Sequence, residues 1–266
     1  MAAPTIVLWI CMSPSLKRFN QPLLAQLTAH FTVLEWEYQQ DDDRGADLEE
    51  AVETLQGFMY KFLQTRRQPR YVHLAGHGSS GLVGLLYARR YPQWVRSLAL
   101  LGVGSQPSLT WHSHYYLRRQ LTHWSRPVIL SQMVHSLFGQ QSLSNHRCLR
   151  QRLQQDLDHS LTPHSLFRAA TIAPGSPAAP LMVLGAADDA LIDPQHLHSW
   201  QEYLKPSDRL WIAPQGRHFF HAHHPQLVAQ QLTQFWASFP KASPLRQPVA
   251  PLPSQYQTEQ YETGQY

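Results

Sequence analysis

The chain has 266 residues, 43% of them apolar, and a formal net charge of +4. That length and apolar content suit one sizeable α/β domain or two small ones and exclude a globally disordered chain. The basic residues are scattered without the run that marks nucleic-acid binding, and two cysteines, Cys11 and Cys148, make no disulfide framework. A reducing, cytoplasmic setting is the expectation, with no nucleic-acid partner.

The first apolar stretch, "TIVLWICM" (5–12), is too short to span a membrane and lacks a basic flank or small-residue cleavage site. It predicts a buried strand. A helix around "SLKRFNQPLLAQLTAHF" follows, then a strand "TVLEWEY" (32–38). Beyond an acidic loop, a helix runs from Leu48 to about Gln64, with Asp47 as N-cap and Glu50 completing a capping box. "RYVHLAG" predicts a third strand and "SGLVGLLYARRY" the helix after it, stopped by Pro92. "VRSLALLGVG", "APLMVLGA" (179–186) and "DRLWIAP" (208–214) are further strands, the last two each followed by helical segments. Short apolar strands alternating with amphipathic helices imply a mostly parallel, doubly wound sheet covered on both faces.

Between residues 105 and 171 the alternation stops. Helical periodicity, seven arginines and only two acids mark an inserted helical layer, either a lid over the carboxyl edge of the sheet or a packing subdomain. After Pro240 the chain is rich in Pro, Gln, Ser and Tyr, which predicts a flexible tail over 241–266. The folded domain therefore covers 1–240.

The stretch "LAGHGSSGLVGLLYARRYP" (74–92) resembles the α/β-hydrolase superfamily, whose members carry a serine in G-x-S-x-G on a strand–turn–helix elbow. Gly76-His77 matches the residues before the nucleophile, Gly81 the glycine three positions after it, and Tyr91-Pro92 the end of the next helix. "VLGAADDALID" is similar to the loop supplying the family's acid, which places it at Asp188, with Asp189 as the fallback. "APQGRHFFHAHHPQLVAQQLTQFW" is similar to the loop and last helix carrying the histidine, which places it at His218. The resemblance covers residues 5 to 238 and implies the α/β-hydrolase fold. It implies oxyanion donors at the backbone N–H groups of Met12 and Ser79.

The nucleophile position, however, falls on Gly78, which has no reactive atom. Such a chain is expected to be a pseudo-hydrolase that binds a small apolar or carbonyl-bearing ligand, or a protein partner. Two enzymatic alternatives stay open: an ester hydrolase using Ser79 or Ser80 in a shifted register, and a lyase or water-activating enzyme resting on an Asp188–His218 dyad. No cofactor is implied. The cluster His218, His221, His223 and His224 is expected to diverge rather than to hold a metal.

Overall fold

In a computed structural model the described residues are 5–39, 47–64 and 71–239. The expected flexible tail lies outside them. Six strands form one sheet: β1 (Ile6–Cys11), β2 (Thr32–Glu37), β3 (Val72–His77), β4 (Val95–Leu101), β5 (Leu181–Ala186) and β6 (Arg209–Ala213). Their order is β2-β1-β3-β4-β5-β6 and every pairing is parallel. The doubly wound reading holds. Because the chain leaves β1 toward β2 and returns on its other side as β3, the carboxyl ends of β1 and β3 flank a topological switch point, where open α/β sheets bind ligands.

The two faces of the sheet separate by residue parity. Ile6, Leu8 and Ile10 of β1 join one buried cluster; Val7 and Trp9 join the other. The second cluster is closed by α1 (Gln21–Leu27) and a C-terminal helix (Pro225–Ala237), through Leu23, Leu27, Leu232, Phe235 and Trp236. The first is closed by α2 (Leu48–Gln64) and α3 (Ser79–Arg90). Asp47 Oδ1 accepts the Glu49 amide at 2.9 Å, so the start of α2 is capped by its expected residue. The single helix expected after β1 is instead a 3-10 turn (Pro14–Phe19) and the short α1, with a break at Asn20. Asn20 is drawn inward to accept a hydrogen bond from His221 Nε2 at 3.0 Å.

Between β4 and β5 stand α4 (Trp111–Leu121), α5 (Arg126–Phe138) and α6 (Leu143–His159), followed by an irregular segment. This helical insertion buries its own apolar stripe, with Ile129, Leu130, Met133, Leu137 and Leu153 in the first cluster. It is also pinned by a buried carboxylate. Asp156, with no exposed surface, accepts hydrogen bonds from Ser160 Oγ (2.7 Å), Ser15 Oγ (3.0 Å) and Trp111 Nε1 (3.0 Å), and His112 Nε2 lies 3.3 Å away. One side chain of α6 thus ties α4 and the segment after β1 together.

Removing that acceptor leaves several buried donors without a partner. Asp156→Ala is expected to cost about 2–3 kcal/mol in a urea melt and to speed proteolysis within 111–159. The exposed Arg126–Asp158 pair provides the control: Asp158→Ala is expected to change stability by less than about 1 kcal/mol.

Candidate functional site

The turn between β3 and α3 sets the geometry of the site. An ideal Cβ built on Gly76 would lie 2.7 Å from the Ser80 carbonyl carbon and 2.8 Å from the Gly81 amide nitrogen. One built on Gly81 would lie 2.8 Å from both the Gly76 carbonyl oxygen and a Val103 methyl. The strand end and helix start are therefore in backbone contact, and only glycine fits at either position. The chain reverses between them through Gly78, whose φ of 54° and ψ of −123° are strained for any residue with a Cβ.

Gly78 points at an imidazole. A Cβ on it would sit 3.7 Å from His218 Nε2. His218 is 2% exposed, and its Nδ1 meets Asp189 Oδ2 at 2.9 Å. The other Asp189 oxygen accepts the Leu191 amide at 2.9 Å. That network orients the carboxylate, and the carboxylate orients the ring.

The carboxylate against His218 is Asp189 rather than Asp188, which corrects the first choice made from the sequence. Asp188 has a different task. Its Oδ1 accepts the Arg217 amide at 2.8 Å and its Oδ2 lies 3.4 Å from Arg217 Nε. Arg217 is the one non-glycine residue with positive φ among those described, at 56°. Asp188 thus holds the strained residue that presents His218. Adjacent side chains on a turn diverge, so two neighbouring aspartates take two roles.

The remaining predicted groups surround the same point. Ser80 Oγ accepts the Met12 amide at 2.9 Å, so the expected oxyanion donor of Met12 is already engaged. Ser79 is the first residue of α3, where the backbone N–H has no intrahelical partner. Among the described residues neither hydroxyl forms a hydrogen bond to His218. Burial pushes the Cys11 thiol up to about 12, which leaves it an inert thiol. The space bounded by Cys11, Asn20, Gly78, Ser79, Trp111 and His218 is about 30 Å³.

Aromatic rings pack beside the space. Phe219 stacks on Phe138 of the insertion with centroids 4.7 Å apart, and Phe19 lies 4.9 Å from Phe219. His77, just before Gly78, donates through Nε2 to the His218 carbonyl oxygen at 2.8 Å, and its ring is 4.5 Å from those of His218 and His221. The sequence reading assigned no function to His77, Asn20 or Phe219. Their signal was only position, beside the turn or beside His218.

The alpha/beta hydrolase family model matches residues 9–231, which includes every element of this site. The chain belongs to the alpha/beta hydrolase family. Two relatives of similar length are "Uncharacterized protein alr2406" of Nostoc sp., 44% identical over 86% of this chain and 90% of that protein, and "Uncharacterized protein sll0249" of Synechocystis sp., 41% identical over 90% and 92%. Among solved structures, a meta-cleavage product hydrolase from Pseudomonas fluorescens superposes with a TM-score of 0.66 at 12% identity, covering 89% of this chain and 92% of that one. An enol-lactonase from Burkholderia xenovorans gives 0.64 at 14% identity, covering 89% and 92%. At such identities the likeness is one of fold.

In this member of the alpha/beta hydrolase family the tightness of the turn and the burial of its histidines each predict a measurable behaviour. Gly76→Ala and Gly81→Ala are expected to cost more than about 3 kcal/mol, because backbone must move. Gly57→Ala, on α2 where a Cβ meets nothing within 4 Å, is expected to stabilise by about 1 kcal/mol. Denaturant midpoints of the three variants decide this.

Burial pulls His221 and His73 down to about 3 and holds His77 well below 6.5, with neighbouring histidines adding to the effect at His77 and His221. These rings stay neutral in the fold and take up protons when the chain unfolds. Stability is therefore independent of them above pH 6.5 and falls as pH drops from 6.5 towards 3, by about 1.4 kcal/mol per ring per pH unit. Urea unfolding between pH 7.5 and 5 measures the slope. His73→Gln, which keeps a partner for the Ser97 hydroxyl, is expected to lower it by about one proton.

Proposed function

We propose that this chain is an alpha/beta hydrolase-fold protein that has given up ester hydrolysis and acts by binding a small apolar or carbonyl-bearing ligand or a protein partner. The observation that carries the proposal is Gly78: the position facing His218 Nε2 bears no nucleophile, while Asp189 and His218 keep the arrangement that would activate one. Two further features support it. Ser80 occupies the Met12 donor, and the neighbouring thiol is inert. Losing the nucleophile of a serine hydrolase costs on the order of 10⁶ in turnover.

A second reading draws on one observation, the intact buried Asp189–His218 pair. With a water beside Nε2, the pair would serve as a general base without a covalent step. That reading requires a turnover that His218→Ala abolishes in a chain otherwise unchanged. The binding reading requires none.

The test is to restore the missing atom. Gly78→Ser places a hydroxyl within hydrogen-bonding reach of Nε2, and it is expected to give hydrolysis of p-nitrophenyl acetate that His218→Ala removes. Releasing the Met12 amide by adding Ser80→Gly is expected to raise the rate by a further factor of about 10². The Gly78→Ser chain is expected to be less stable by about 1–3 kcal/mol, because a Cβ enters a strained conformation. Hydrolysis by the unmodified chain equal to that of Gly78→Ser would refute the proposal.

A further inference from the structure

Of the eight large apolar side chains left exposed among the described residues, six belong to one end of the helical insertion. Leu117 and Leu121 stand one turn apart near the end of α4, Trp124 lies in the turn after it, and Val128 in the first turn of α5. Leu166 and Phe167 come from the segment after α6, and the Gln120 amide donates to the Leu166 carbonyl oxygen at 2.6 Å, tying that segment to α4. Phe167 is 98% exposed and Leu121 75%. Scattered exposed leucines are ordinary; six such side chains on segments joined by short connections and by the Gln120–Leu166 hydrogen bond are a candidate docking surface.

The charge of the same end is one-sided. Arg118 and Arg119 are on α4, Arg126 starts α5, and Arg168 follows Phe167. Residues 105–171 contain two acids: Asp156 is fully buried, and Asp158 is paired with Arg126. Arg119 donates to the Trp124 carbonyl oxygen at 2.8 Å, so cation and aromatic ring share one short turn. Beside them a groove of about 510 Å³ runs between α4 and residues 164–174, lined by Leu109, Tyr116, Leu117 and Ile172 together with Arg168.

We propose that this end of the insertion docks on an anionic lipid bilayer. The arginines meet the phosphate headgroups, and Leu121, Trp124 and Phe167 enter the boundary between headgroups and acyl chains. The observation behind this is the joining of single, projecting apolar side chains with three arginines, Arg118, Arg119 and Arg168, that have no carboxylate partner among the described residues. A fluid interface accommodates each projection without a matching pocket, and cationic amphipathic surfaces bind anionic bilayers by adding burial to charge attraction. No described helix is long and apolar enough to cross a membrane, so the attachment is to the surface. It is independent of whether the Gly78 site turns over a substrate.

The test is co-sedimentation of the full chain with vesicles of phosphatidylcholine alone and with phosphatidylcholine containing roughly 30 mol% phosphatidylglycerol. Partition into the anionic vesicles is expected to exceed that into neutral ones at least about tenfold and to be lost in about 0.5 M salt. Each arginine is expected to contribute about fivefold, so Arg118→Glu with Arg119→Glu and Arg168→Glu lowers partition at least about a hundredfold. Leu121→Ser with Phe167→Ser is expected to lower it at least about tenfold at unchanged net charge. Leu121, Phe167 and Arg168 are exposed and Arg118 and Arg119 half-buried, so circular dichroism and melting temperature accompany each variant and are expected to show the parent fold. Equal partition into neutral and anionic vesicles, no partition at all, or variants that bind like the parent would overturn the proposal. So would a dimer on gel filtration that these variants dissolve, because the patch would then face a second copy.

Discussion

The structure depends on a contact between two stretches of backbone. The end of β3 and the start of α3 approach until Gly76 and residues 80–81 touch with no room for a side chain. That approach leaves the chain one way to reverse, through the conformation of Gly78, and it aims the apex of the turn at His218. The sheet supplies the other half of the constraint. The ends of β1 and β3 lie side by side, which brings the Met12 amide to the Ser80 hydroxyl. The parts that would activate and stabilise a reacting group are therefore assembled by packing and hydrogen bonding around a position that holds no side chain.

Glycine at the apex resolves a conflict that a catalytic residue has to tolerate. A side chain there is strained by about 1–3 kcal/mol, a cost justified only where it performs a reaction. Several neighbours fit the absence of that reaction. Ser80 uses its hydroxyl to satisfy a backbone amide that would otherwise be available to an oxyanion. Phe138 of the insertion stacks on Phe219, the residue after His218. The Asp189–His218 pair is explained on structural grounds as well, since a buried carboxylate and a buried imidazole each need a partner. Packing alone thus accounts for the pair beside a glycine.

Much of this was legible in the sequence, and the exceptions have specific physical reasons. All six strands could be placed because buried parallel strands are continuous apolar runs separated by turn residues. Gly76, Gly78 and Gly81 could be placed because a tight turn restricts residue type strongly. The acid was less legible: "ADD" offers two carboxylates one residue apart, and only the turn in which Leu191 and Arg217 donate to them decides which faces the imidazole. The helix after β1 was read as one piece because its apolar pattern continues through Asn20. It breaks there to satisfy His221, which is 201 residues away in the chain and invisible to any local pattern. The engagement of Met12 by Ser80 is likewise a contact across 68 residues. For the insertion, sequence showed helices and arginines, but only the packing of α4 against α5 shows which apolar residues were left outside.

The central claim concerns an absent atom, and it can be tested on the protein as it stands. Treatment with an excess of a fluorophosphonate probe, followed by intact-mass measurement, asks whether any hydroxyl is activated by an imidazole. The account predicts no covalent adduct on the unmodified chain. A stoichiometric adduct located to Ser79 or Ser80, and abolished by His218→Ala, would contradict it and make the protein a working serine hydrolase.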